Sequence, residues 1–122
     1  MYKLGRKSKA NLEGVNPSLV GVVLRAIELT RIDFSVVEGV RSKERQAGLV
    51  KSGKSTTMKS RHLTGHAVDI YPWVDGKTSH DEKHYKMVAR AMFRASQELS
   101  ATVSWGGLWV SFIDNPHWQL DD

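Results

Sequence analysis

Apolar residues recur along the chain with two different periods, and the changes between them mark out the elements. Val20, Val23, Leu24 and Ile27 follow Asn16-Pro17 at three- and four-residue steps. That predicts a helix with Asn as N-cap, Pro at its first position and one apolar stripe. Phe34 to Glu38 is rich in β-branched residues and ends at Gly39, which reads as a short strand. A short helix is expected from Ser42, its cap, through Ser52, with Gly53 as the stop. Lys54 to Gly65 is polar and aperiodic, a loop, and Ala67 to Tyr71 reads as a strand before Pro72. Tyr85, Val88, Met92, Ser96 and Leu99, widened by Ala89 and Phe93, predict a longer helix that begins near His80 or Asp81. Thr102 to Trp105 predicts a strand before a Gly106-Gly107 turn, and Leu108 to Ile113 and His117 to Leu120 are the last strand candidates.

Helices and strands alternate without a regular βαβ rhythm, so the expected class is α+β, a small antiparallel sheet with helices packed on it. The length of 122 residues fits one domain spanning 1–122. With no Cys there is no disulfide framework, and no apolar run approaches the ~20 residues of a membrane span. The basic start, Met1 to Lys7, leads into no apolar segment, so no signal peptide is expected. The 18 Lys and Arg against 13 Asp and Glu give a net charge of +5. That balance favours an anionic partner but does not say which.

The chemistry concentrates in two segments. In Ser60 to Asp69, strand alternation puts Val68 and Ile70 on the core face and leaves the Asp69 carboxylate facing a cleft. His62 lies an odd number of residues away, so it cannot share that face of one straight strand, and Gly65 lets the chain turn and bring its imidazole back to the carboxylate. In Asp114 to Leu120, Trp118 and Leu120 take the core face while His117 projects the other way. Pro116 stiffens the spacing between Asp114 and His117. His62, Asp69 and His117 together offer two nitrogens and one oxygen, the ligand set of a catalytic zinc site with one position left for water. Asp114 is then the natural general base.

Ser60-x-His62-x-x-Gly65-x-Ala67-x-Asp69, followed far downstream by Asp114-x-x-His117-Trp118, resembles the zinc D,D-carboxypeptidase/L,D-endopeptidase family. That family includes VanY-type enzymes and phage L-alanyl-D-glutamate endolysins. Gly39-Val40-Arg41-Ser42 and Trp105-Gly106-Gly107 are similar to two further elements of it, and the ending is especially like the phage members. The resemblance implies Zn2+ held by His62, Asp69 and His117, and Asp114 as acid/base. It also implies that Arg41 stabilises the oxyanion or binds a substrate carboxylate. Many carboxypeptidase members carry Glu where this chain has Asp114. The implied activity is hydrolysis of peptidoglycan stem peptides at the L-Ala–D-Glu bond. D-Ala-D-Ala carboxypeptidase or dipeptidase activity is the alternative within the family. Such an endolysin is expected to act as a monomer without stable membrane insertion or nucleic-acid binding, and to stay in the host cytoplasm until released to the wall.

Other readings compete at single positions. Ser60 either contacts substrate or caps the loop, and Asp114 can serve as a turn former. Gln46 is expected on a helix surface, and His66 in a structural role. His80 and His84 share a spacing that would put both on one helical face, but they open a polar helix start, which argues against a metal pair. The four Trp are expected mostly in the core or the cleft wall. A basic module that coats wall or nucleic acid without catalysis is the rival from another class, but basic and aromatic residues do not cluster on one element as such a module needs.

Overall fold

The computed structural model describes residues 1–121. Helix α1 (Arg6–Asn11) precedes α2 (Pro17–Leu29), whose Asn16 cap accepts a hydrogen bond from the Ser18 N–H. Strand β1 (Asp33–Glu38) and helix α3 (Lys43–Lys51) follow, then β2 (Ala67–Val74), β3 (Lys77–Thr78), α4 (Glu82–Glu98), β4 (Val103–Trp105) and β5 (His117–Leu120). The antiparallel sheet has the order β1-β2-β5-β4, with β3 paired to β2. Its inner face carries Phe34, Val36, Val68, Ile70, Trp118 and Leu120 in a single core with α2 and α4. Trp118 anchors that core, stacked on Trp105 and met edge-on by Phe93. The expected α+β class is the one observed.

Several boundaries differ from the sequence pattern for identifiable reasons. The buried face of α2 is Leu19, Val22, Val23, Ala26 and Ile27, while Leu24 is exposed, because α4 packs to one side of the predicted stripe. Helix α1 was not predicted, since its binding face is polar. Ser8 Oγ accepts from the Val36 N–H and Asn11 Nδ2 donates to the Val36 carbonyl, which closes part of the open edge of β1. Strand β2 runs through Pro72 because that residue faces the side where β5 pairs only with Ala67 to Asp69, so no ladder bond is lost. Leu108 to Ile113 is not a strand. Gly106–Leu108 is a 3-10 turn, Phe112 takes a positive φ of 50°, and Leu108, Val110, Phe112 and Ile113 are exposed.

Candidate active site

The functional side chains gather on the outer face of the sheet, at the centre of the β1-β2-β5 run. Asp69 and His117 are register partners on neighbouring strands, so their side chains emerge together. A bulge after Val36 then sets Glu38, rather than Val37, opposite Asp69, which turns a second carboxylate into the same cleft. His62 arrives by the expected reversal. Ser60 Oγ caps the 3-10 turn Arg61–Thr64 by accepting from the His62 N–H, and Gly65 closes it at φ 77°. A Cβ at Gly65 would stand 2.7 Å from the Gly14 carbonyl oxygen, so both the conformation and the space require glycine.

Ligand atoms of His62, Asp69 and His117 all lie within 4.8 Å of one another. His62 Nδ1 donates to the Gly39 carbonyl at 2.8 Å, which leaves Nε2 as a lone pair 3.2 Å from Asp69 Oδ1. His117 Nε2 donates to Gln119 Oε1 at 2.9 Å, which turns Nδ1 toward the same oxygen at 3.6 Å. Three electron-pair donors therefore point into one space, and only a proton or a metal cation among them relieves the repulsion. The outer bonds to Gly39 and Gln119 are of the kind that set ring orientation around a bound metal. Two imidazoles and a carboxylate suit a borderline cation with an open coordination position. The residues fit such a group.

The surrounding charges are tuned by the same geometry. Burial works against ionisation of Asp69, but when the facing imidazole nitrogens carry a proton, hydrogen bonds from His117 and His62 outweigh it and hold the carboxyl well below the usual range. Burial, and then the Asp69 charge, push the Asp114 carboxyl above its ordinary value. Among the described residues no side chain or backbone donor hydrogen-bonds that carboxylate. Its backbone is held instead, with Asp114 N–H donating to the Gly106 carbonyl at 3.0 Å. Gly106 is needed there because a Cβ would collide with the Asp114 carbonyl oxygen. The Trp-Gly-Gly element thus fixes the candidate base, and the Trp105 indole N–H adds a bond to the Asn115 carbonyl.

Arg41 stands beside Asp69, its side chain 9% exposed. Nε donates to Glu38 at 2.6 Å, Nη1 to Gln46 Oε1 at 2.8 Å and Nη2 to Asp69 Oδ2 at 3.5 Å. Gln46 is fully buried, contrary to the helix-surface expectation. Its Nε2 donates to Ser55 Oγ and to the Thr57 carbonyl, which ties the 54–60 loop to Arg41. Glu38, Gln46 and Gln119 were not singled out from sequence as parts of the site. An amide in an otherwise solvated helix, and an acid at a strand end beside Arg41, were the only signals they gave.

The remaining candidates separate cleanly. Asp81 caps α4 at the Lys83 N–H, so His80 precedes the helix and does not share a face with His84. His80 bonds the Tyr85 hydroxyl and His84 the Ser79 hydroxyl. His66 contacts Thr64 Oγ1. Trp105 and Trp118 are core, and Trp109 packs against His117 with ring centroids 5.0 Å apart. The cleft, about 350 Å3, is lined by His62, Asp69, Asp114 and His117 together with Arg41 and Tyr71, among others. Its volume suits a short peptide segment.

Comparison with known proteins agrees with this geometry. The family described as phage L-alanyl-D-glutamate peptidase matches residues 1–119. The L-alanyl-D-glutamate peptidase of Escherichia phage T5 is 34% identical over 112 residues, covering 88% of this chain and 82% of that protein. The enzyme of the same name from Listeria phage A118 is 39% identical over 98 residues, 77% of this chain but 32% of that longer protein. The crystal structure of the Serratia marcescens L-Ala D-Glu endopeptidase ChiX superposes with a TM-score of 0.92 at 42% identity, covering 98% of this chain and 90% of that one. Matched over nearly its whole length, in sequence and in fold, the chain belongs to the phage L-alanyl-D-glutamate peptidase family.

Proposed function

We propose that the protein is a zinc-dependent endopeptidase that cleaves the L-Ala–D-Glu bond of peptidoglycan stem peptides, with His62, Asp69 and His117 as metal ligands. The observation that carries this reading is the convergence of three ligand atoms, two with ring orientation set by outer hydrogen bonds, beside an unbonded carboxylate at Asp114. Zinc, when bound, would acidify a water molecule and polarise the scissile carbonyl.

The chain's own residues do the rest. Gly39 and Gln119 keep His62 Nε2 and His117 Nδ1 free to ligate. Asp114, shifted toward neutrality by burial and by Asp69, takes a proton from the attacking water and delivers it to the leaving amine. Arg41 uses three of its five N–H donors on Glu38, Gln46 and Asp69. Those bonds hold the Asp69 side of the site, and the remaining donors serve negative charge that develops in the cleft. Ser60 acts through its cap on the His62 turn.

No helix among the described residues is long and apolar enough to cross a membrane. The net charge of +5 suits approach to an anionic wall. The reading includes a monomer that waits in the host cytoplasm until it gains access to the wall. D-Ala-D-Ala cleavage by the same site is the alternative. Metal analysis of purified wild type and of His62→Ala and His117→Ala tests the centre. Stoichiometric zinc in wild type, lost with lytic activity in both variants, supports it. Full metal content and activity in both variants would overturn it.

A further inference from the structure

The cleft contains positive charge that the metal centre and its supports do not use. Glu38 and Asp69 offset Arg41, and Glu38 also takes a bond from Arg45. Lys54 and Lys59 line the same cleft, and neither ammonium has an ion pair or hydrogen bond among the described residues. They are held there by design of the loop. Buried Gln46 donates to Ser55 Oγ and to the Thr57 carbonyl. The Lys59 N–H donates to Thr57 Oγ1 at 2.9 Å, and Ser60 caps the His62 turn. A loop pinned at both ends thus carries two cations on the cleft lining, unpaired among the described residues.

A glutamyl residue whose amine lies in the scissile bond carries two carboxyl groups, of which only one continues the stem. The other stays ionised, either on the carbon next to the scissile nitrogen or at the end of the side chain. Asp114 lines the cleft without a hydrogen-bonded partner, so an incoming carboxylate meets an acid that repels it. We infer that Lys54 and Lys59 form a subsite for the free carboxylate of the leaving glutamyl residue, and that this subsite makes the enzyme selective for an acidic stem over one whose carboxylate is capped as the carboxamide. The assignment rests on the endopeptidase reading of the cleft. Arg45 stands nearby but shares its charge with Glu38, so it contributes less.

The test pairs two stem peptides, identical except that the free glutamyl carboxylate is a carboxamide in the second, with wild type, Lys54→Gln, Lys59→Gln and Lys59→Arg. Both lysines are exposed, so the substitutions leave the fold intact. Wild type is expected to favour the acid by roughly tenfold or more in kcat/KM, as for a charge-assisted hydrogen bond. Each Gln variant should narrow that ratio toward one, chiefly through KM, and Lys59→Arg should restore it. A wild-type ratio of one, or a ratio unchanged in both Gln variants, would overturn the subsite while leaving the endopeptidase reading intact. Cleavage of neither peptide by zinc-loaded wild type would sink that reading and the subsite with it.

Discussion

Replacing Arg41 by Met keeps an unbranched apolar stem and removes every donor of the guanidinium. In the folded protein Nε bonds Glu38 at 2.6 Å and Nη1 bonds the buried Gln46 oxygen at 2.8 Å, while the 3.5 Å contact to Asp69 is long. Two good hydrogen bonds to a charged group contribute about 1.5 kcal/mol each, so the loss is about 3 kcal/mol. That sits at the low end for breaking a buried pair, as it should, because Glu38 keeps Arg45 at 3.2 Å. With an unfolding entropy of about 2.1 cal/mol/K per residue, a chain of 122 residues loses roughly 12 °C of Tm. Arg41→Lys retains one bond at best and should fall between. The assay is thermal unfolding followed by circular dichroism, with and without zinc, alongside kcat and KM. If Arg41→Met unfolds within about 0.5 kcal/mol of wild type yet loses turnover, the guanidinium is spent on substrate and the supporting network described above is wrong.

Asp114→Asn should keep its metal and its fold while kcat falls by a factor of about 10² or more, the usual scale for loss of a general base; loss of the metal itself would make Asp114 a ligand instead. Gly65→Ala should cost about 1–3 kcal/mol in denaturant titration, because a side chain at φ 77° is strained and its Cβ crowds the Gly14 carbonyl; an unchanged midpoint would refute the turn argument. The Glu38 carboxyl is disfavoured by burial but held below its ordinary value near 4.5 by bonds from Arg41 and Arg45. A lowered folded-state pKa stabilises fully above the unfolded value and is lost as pH falls below it. Stability should therefore drop as the pH falls through and below the ordinary Glu range near 4.5, and Glu38→Gln should flatten that decline relative to wild type.

The His62-Asp69-His117 cluster was legible because each member rests on a local rule. Alternation sent Asp69 and His117 away from Val68, Ile70, Trp118 and Leu120, and Gly65 supplied a turn that returns His62. The supports of the site were less legible because they depend on pairing across the chain. Glu38 enters the cleft through a bulge whose register β2 decides, and no local pattern marks that extra residue. Gln46 sits in a helix of low apolar content, so its burial follows from the Ser55 to Thr57 backbone folding over it. Helix α1 binds β1 through Ser8 and Asn11 rather than through an apolar stripe. The segment after Gly107 had the apolar content of a strand, yet no neighbour offers it a ladder, and it remains an exposed strap beside Asp114.

Whether this cleft hydrolyses the L-Ala–D-Glu bond is decided by mass spectrometry of muropeptides digested by the zinc-loaded protein. Stem peptides should be released with glutamate at their new N-terminus and alanine left on the glycan side. Free D-alanine without stem release, or intact stems after prolonged digestion, would contradict it.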